Sequence, residues 1–181
     1  MNEDLTTFDG TRAAVWRRLV EAATDARSPY RIIALATQAH SGGGSVRMVV
    51  LREAEQAGQT LSFYTHSQSA KVEDLHQCPG AEALYWDRES KFQIRLRGDV
   101  NITDGPAEIW EAFGAGTRQN YAAHPAAGDP ISRPGEIGGG PDPTMFVMLT
   151  LEIDQIETLW LGGAAHHRAL FTNESANWLS P

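Results

Sequence analysis

The sequence predicts a mainly β protein, an antiparallel barrel or sandwich with flanking α-helices. Three features predict it. Short β-favouring runs recur from residue 31 onward, turn residues separate them, and no long helical stretch intervenes between neighbouring runs. An N-terminal helical region, residues 1–28, comes first. Val15, Leu19, Ala22 and Ala23 recur at helical spacing within 11–26, Asp9 or Thr11 is available as a cap, and Ser28-Pro29 stops the helix. Strands follow at 31–37, 46–52, 61–65, 83–86 and 92–102, joined by Ser41-Gly42-Gly43-Gly44, Ala57-Gly58 and the turn 87–90. A short helix is expected within 67–77, capped by Ser67 or Ser69 and carrying Val72 and Leu75. Another is expected over 104–113, with Asp104 as N-cap and Pro106 in its first turn. The segment 122–143 is dense in proline and glycine and reads as a long loop without regular structure. Strands at 145–153, 156–161 and 168–172 complete the chain.

Composition narrows the function. The 181 residues are 41% hydrophobic and 21% charged, as in an ordinary globular protein, and one domain spanning 1–181 is the expectation. With 15 Lys+Arg against 23 Asp+Glu the net charge is −8, which disfavours nucleic acid as the main partner, since that binding needs cations for phosphates. Cys78, the single cysteine, reads as a half-buried thiol in a reducing compartment. Residues 1–7 lack the basic and apolar regions of a signal peptide, and no apolar run approaches the roughly 20 residues of a bilayer span, so no membrane partner and a cytoplasmic location are expected. The six histidines form no HxxxH or HExxH pair, which leaves no metal site expected. GxSxG, GxGxxG and P-loop motifs are absent.

Basic residues inside apolar strands carry the chemical signal. Arg47 opens the run Arg47-Met48-Val49-Val50-Leu51-Arg52, a strand-end charge that either faces solvent or serves an anion. Lys71 follows Ser69 at the start of the short helix, where free N–H groups and hydroxyls favour a phosphate. Together they make a plausible clamp for a dianion. Gln93 adds a strand-borne amide able to pair with the edge of a heterocycle, and Trp160 and Arg168 lie near the C-terminus. Alternation places Arg47 and Arg52 on opposite faces, so one ligand could reach both only through twist, a bulge or backbone contacts between them.

These strings, with Phe63-Tyr64-Thr65, Ser69-Ala70-Lys71 and Gln93-Ile94-Arg95-Leu96-Arg97-Gly98 in the same order, closely resemble the pyridoxamine 5'-phosphate oxidase-like FMN-binding split barrels. Ile33-Ala34-Leu35-Ala36-Thr37 and the C-terminal Ile156-Glu157, Trp160, Arg168 and Trp178-Leu179-Ser180-Pro181 look like the opening and closing strands of that family. The resemblance implies an antiparallel split β-barrel with flanking helices, working as a homodimer with FMN in the cleft between subunits. It further implies that Arg47 and Lys71, with Ser69, hold the FMN phosphate. Met48, Val49, Val50, Leu51 and Arg52 would lie along the flavin ring, Tyr64, Thr65 and Gln93 would contact it, and Trp160 and Arg168 would reach it from the C-terminus across the dimer. Positive charge near the ring also suits an anionic reduced flavin. The large aromatic groups Trp160, Phe171 and Trp178 fit the dimer on the same reading.

The departures from the family point to a short, divergent branch. Ala70 stands where pyridoxamine phosphate oxidases have arginine. Gly116 and Ala112 align with the arginine and tyrosine that hold the substrate phosphate. Residues 162–167 are shorter than the family's Arg-x-His substrate segment. The implied function is an FMN-dependent oxidoreductase that takes a hydride from an unidentified small substrate and passes electrons to oxygen or another acceptor. The alternatives are a flavin-binding or sensing module without turnover, and the same barrel binding haem or a deazaflavin.

Overall fold

The structure is a computed structural model that describes residues 4–125, 127–136 and 138–181. Residues 1–3 of the region expected at 1–28, and residues 126 and 137 of the segment 122–143, lie outside the described residues. Helix α1 (Phe8–Thr24) starts upstream of the expected caps, because Thr7 is the N-cap and its hydroxyl accepts from the Gly10 N–H. Asp9 is instead a first-turn acid, and Thr11 is buried with its hydroxyl donating to the Leu5 carbonyl. Ala14, Val15, Leu19 and Ala22 form the buried stripe of α1, and Arg31 donates to the carbonyls of Ala22 and Ala23 at its C-terminal end.

Strands β1 (Ile32–Gln38), β2 (Gly44–Glu55) and β3 (Thr60–His66) lead to helix α2 (Ala70–Gln77), and β4 (Gly80–Asp87) and β5 (Phe92–Asp104) follow. Two short helices, α3 (Ala107–Ala112) and α4 (Ala115–Arg118), precede β6 (Ala122–His124), β7 (Gly138–Pro141), β8 (Phe146–Trp160), β9 (His167–Thr172) and β10 (Ala176–Leu179). The main sheet runs β10-β9-β8-β3-β2-β1-β4-β5, and β5 pairs back onto β8, closing a six-stranded antiparallel barrel. Ile33, Leu35, Leu51, Leu61, Phe63, Ile94, Leu96, Leu149 and Leu151 fill it and are all fully buried. Each contributes about 1.5–3 kcal/mol of hydrophobic stabilisation.

Four expectations change. Asp104 stays in β5, and α3 begins only at Ala107 with Pro106 as its N-cap, because pairing of Asp104 with Val147 holds the chain extended. Segment 122–143 is not without regular structure, since β6 and β7 pair antiparallel within it to form an arm. The strands expected at 145–153 and 156–161 are one strand, β8, whose register against β5 shifts at Asp154. Gly98 faces that bulge so closely that a Cβ would meet the Glu152 carbonyl oxygen at 1.8 Å. The C-terminal aromatics also find partners within the chain. Phe171 is buried edge-on to Phe8, and Trp178 stacks on the same ring at 4.7 Å, although it keeps an exposed face. Among the described residues no helix is long and apolar enough to cross a membrane.

Candidate functional site

Arg47, Ser69 and Lys71, expected at one phosphate, come together at the start of α2, and Thr65, expected with Tyr64 at the flavin ring, joins them there instead. Thr65 is the last but one residue of β3 and faces its interior side, Ser69 is the N-cap residue of α2, and both hydroxyls accept from Lys71 Nζ, at 2.8 and 3.0 Å. Ser69 makes no side-chain cap bond, because its hydroxyl is engaged with the lysine. Burial first, and then the nearby Arg47 charge, hold the Lys71 ammonium below its ordinary pKa. Among the described residues no carboxylate bonds to Lys71. The result is a half-buried pair of cations at a helix N-terminus, which favours an anion electrostatically.

Arg47 is held from several sides. Nη1 donates to the Leu35 carbonyl and to Thr37 Oγ1 at 3.2 and 2.7 Å, and Nη2 to Ser45 Oγ and Asp74 Oδ2 at 2.6 and 3.2 Å. Asp74 reaches from α2 and is buried, and it also accepts from the Thr37 hydroxyl and the His40 N–H. Burial alone would raise its pKa. The bonds from Thr37 and His40 and the Arg47 charge outweigh that, and the carboxyl lies below its ordinary value. Sequence reading missed Asp74, Thr37 and Ser45. The available signal was an acid three residues after Lys71, in line with the buried stripe of a short helix.

Arg47 and Arg52 do not meet. The β2 bulge falls at Arg52, since Leu51 pairs with Phe63 and Glu53 with Ser62. This leaves Arg52 over the Tyr64 ring at 5.3 Å and lets Tyr64 donate its hydroxyl to Glu53, both on the outer side of β3, while Ala54 packs on the core. Arg52 Nε is buried and has no hydrogen-bond partner among the described residues. An aromatic group of Tyr64, Phe113, Tyr121, Phe146 and Trp110 lines this side, with Phe113 and Tyr121 stacked at 5.8 Å. Gly105 permits it, because a Cβ there would meet the Phe146 ring at 2.0 Å. Val49 and Leu51 point into the core, and Met48 and Val50 lie on the outer side between the two arginines.

Gln93 and Arg168 belong to a third place, the outer face of β5, β8 and β9. Trp86 pairs with Gln93, Gln93 with Leu159, Leu159 with Arg168 and Arg168 with Leu179, so these residues form one row across the sheet. Arg168 donates through Nε and Nη2 to Glu157 Oε1 at 3.1 and 2.9 Å. Glu157 also accepts from Arg95, which forks onto both oxygens of Glu82 at 2.7 and 3.1 Å. Trp160 is not in this row. The Asp154 bulge inverts the alternation of β8, so Trp160 turns to the other side, donates to the Ser90 carbonyl and meets His167 edge-on, while Leu159 takes the place beside Arg168. The position aligned with the family's substrate arginine is bare, since Gly116 is open to solvent. Arg118 does not replace it, because its guanidinium holds the carbonyls of Trp110 and Glu111.

Comparison with known proteins places these features. A family model described as pyridoxamine 5'-phosphate oxidase, FMN-binding domain, matches residues 13–104. The chain is 31% identical over 98 residues to a pyridoxine/pyridoxamine 5'-phosphate oxidase of Arabidopsis thaliana, covering 52% of this chain and 50% of that protein. It is 30% identical over 171 residues to the dihydrophenazinedicarboxylate synthase of Pseudomonas chlororaphis, covering 82% of this chain and 72% of that one. The chain thus spans about half the length of the oxidase and most of the synthase. Among solved structures, a pyridoxamine 5'-phosphate oxidase-related, FMN-binding protein of Nostoc punctiforme superposes with a TM-score of 0.76 at 24% identity, over 94% of this chain and 97% of that one. PhzG of Burkholderia lata superposes with a TM-score of 0.74 at 22% identity, over 93% and 92%. The fold, the ordered motifs and these matches agree that the chain belongs to the pyridoxamine 5'-phosphate oxidase FMN-binding domain family.

Proposed function

We propose that the chain is an FMN-dependent oxidoreductase acting on a small substrate other than pyridoxamine 5'-phosphate, as a homodimer that shares its cofactor between subunits. One observation carries the cofactor: among the described residues Lys71 is held only by neutral hydroxyls, and it lies beside Arg47, whose charge Asp74 already balances, so a phosphate dianion would supply the half-buried lysine with the counter-charge it lacks. The donor set fits FMN, with two cations, two hydroxyls and a helix N-terminus at one end and the unpartnered Arg52 Nε at the other. When bound, FMN would supply a hydride acceptor at its N5. Lys71, Ser69 and Thr65 would hold the phosphate, while Arg47, tied to Asp74, would keep β2 and α2 together around it. Arg52 would offer Nε to the ring or to a carboxylate stacked on it, with Tyr64 setting the guanidinium plane. The name of the Pseudomonas relative supports a cyclic carboxylate as substrate.

Two features support the dimer. Ile32, Val46, Met48, Leu84 and Trp86 leave a broad apolar area on the outer face of β2, β1 and β4. Gln93 and Arg168 sit around the barrel from Lys71, beyond β1 and β4, and a second chain across that face could bring such a row to the phosphate end of its neighbour. The reading as a binding module without turnover draws on Ala112 and Gly116, which offer no donor for a substrate phosphate. Titration with FMN, followed by the flavin bands near roughly 370 and 450 nm and then anaerobic reduction trials, tests the assignment. Tight FMN binding with a bleachable flavin band is expected. Retention of haem or a deazaflavin in its place would overturn the cofactor, and turnover of pyridoxamine 5'-phosphate at about 1 per second or faster would overturn the substrate.

A further inference from the structure

His66 ends β3, next to Thr65 and three residues before Ser69, the two hydroxyls that hold Lys71, and its imidazole is buried. Its nitrogens face unlike groups. Nδ1 lies 3.1 Å from the Gln68 amide nitrogen, which can only donate, and Nε2 lies 3.0 Å from the Ala122 carbonyl oxygen, which can only accept. One state satisfies both, the neutral ring with its proton on Nε2. The other neutral tautomer faces both partners wrongly, and an imidazolium turns a second N–H against the Gln68 amide.

The two partners belong to different parts of the molecule. Gln68 lies in the turn that presents Ser69 and Lys71, where the Ser67 N–H donates to the Met145 carbonyl and the Ser69 N–H to that of His66. Ala122 opens β6 at the foot of the β6–β7 arm, where the Asp142 N–H donates to the Tyr121 carbonyl. Because the Ser69 hydroxyl serves Lys71 and leaves α2 without a side-chain cap, this turn lacks the restraint that usually fixes a helix start. The Gln68–His66 bond stands in for it.

We propose that His66 is a positioning residue for the cofactor phosphate. Oriented by the carbonyl at the foot of the arm, its ring fixes the Gln68 amide and with it the turn that carries Ser69 and Lys71. The inference rests on the FMN reading above, and the two fail separately. Fluorescence-quenching titration with FMN compares the wild-type chain with His66→Asn, His66→Gln and His66→Ala. Asparagine places an acceptor where Nδ1 stands and should keep affinity within about twofold. Glutamine reaches toward the place of Nε2 and leaves Gln68 unpaired, so it should bind roughly fivefold to tenfold more weakly, as should alanine, the worth of one net hydrogen bond. Nitrogen-15 spectra of labelled histidine should show the Nε2–H tautomer at His66. Wild-type affinity in both His66→Gln and His66→Ala overturns the proposal, as does an asparagine variant as weak as alanine, or the Nδ1–H tautomer. If the alanine variant does not fold, the asparagine and glutamine pair decides. A wild-type chain that does not bind FMN overturns the cofactor reading itself, and this inference with it.

Discussion

The proposed phosphate end of the barrel, around Lys71, and the outer row of Gln93, Leu159 and Arg168 contain the same kinds of residue and are built in opposite ways. At the phosphate end, β1, β2, β3 and α2 converge within one chain, and Arg47 is saturated by Leu35, Thr37, Ser45 and Asp74. In the outer row, Arg168 and Arg95 share Glu157 along the sheet surface, and the row faces away from the chain's own barrel interior. The first, the proposed cradle, is closed by bonds within one chain. The second is a ladder of ion pairs on the outer face of the sheet. The pair teaches that the same residue types make a buried cluster where elements converge and a surface ladder where only strand register aligns them.

Breaking the proposed dimer face should have the largest effect. Met48→Asp puts a carboxylate in the middle of the exposed apolar face, where burial without a partner would cost several kcal/mol. Sedimentation velocity should then show a monomer at micromolar concentration, with FMN affinity lost together with the dimer. A monomer that binds FMN undiminished would show that the cradle alone suffices. Removing the cradle's free charge comes next. Lys71→Ala should weaken FMN binding about tenfold to a hundredfold, the loss of a charge-assisted contact of about 1.5–3 kcal/mol, and unchanged affinity would remove Lys71 from the site.

Lys71 also separates function from stability. Its charge is disfavoured by burial and by Arg47, so Lys71→Met should raise the melting temperature of the cofactor-free protein at neutral pH while it weakens FMN binding. A lower melting temperature would mean that the bonds to Thr65 and Ser69 outweigh desolvation. Arg168→Ala should act more mildly, about threefold to tenfold on FMN affinity by isothermal titration, since one exposed-side donor is lost. An effect as large as that of Lys71→Ala would make the row and the cradle equal partners.

The smallest effect concerns Asp74. Its carboxyl is held below the ordinary value of 3.8, so its contribution to stability is complete above that pH and is lost as pH falls through the lowered value. Thermal melts of wild type and Asp74→Asn should therefore differ at neutral pH and converge in strong acid. A difference that persists there would assign the effect to packing rather than charge.

The residues proposed for the cofactor stood out in the sequence because they lie in short strings. Arg47 to Arg52 form the middle of β2, Tyr64-Thr65 lie near the end of β3 and Ser69 to Lys71 start α2, places where local sequence announces the element. Asp74 and Glu157 did not, since each acts by reaching an arginine on another element, Arg47 on β2 and Arg168 on β9. The arm at 122–143 was missed for a related reason. Glycine and proline discourage a strand locally, yet β6 and β7 satisfy each other's backbone groups once the chain doubles back.

By itself the sequence determined that the chain is an antiparallel β protein with a helix before it, that one cation stands on an apolar strand and another at a helix start, and that its motifs follow one family in order, while Arg47, expected at a strand end, lies inside β2 (Gly44–Glu55). Those features depend on alternation, turn residues and spacing, which neighbours in the chain decide. Only the tertiary structure decided which side of each strand a residue occupies after a bulge. One extra residue at Asp154 inverts the period of two, so Leu159 takes the place beside Arg168 and Trp160 turns to the Ser90 carbonyl. A bulge is set by how β8 must bend to pair with both β3 and β5 in a closed barrel, and that closure is a property of the whole sheet.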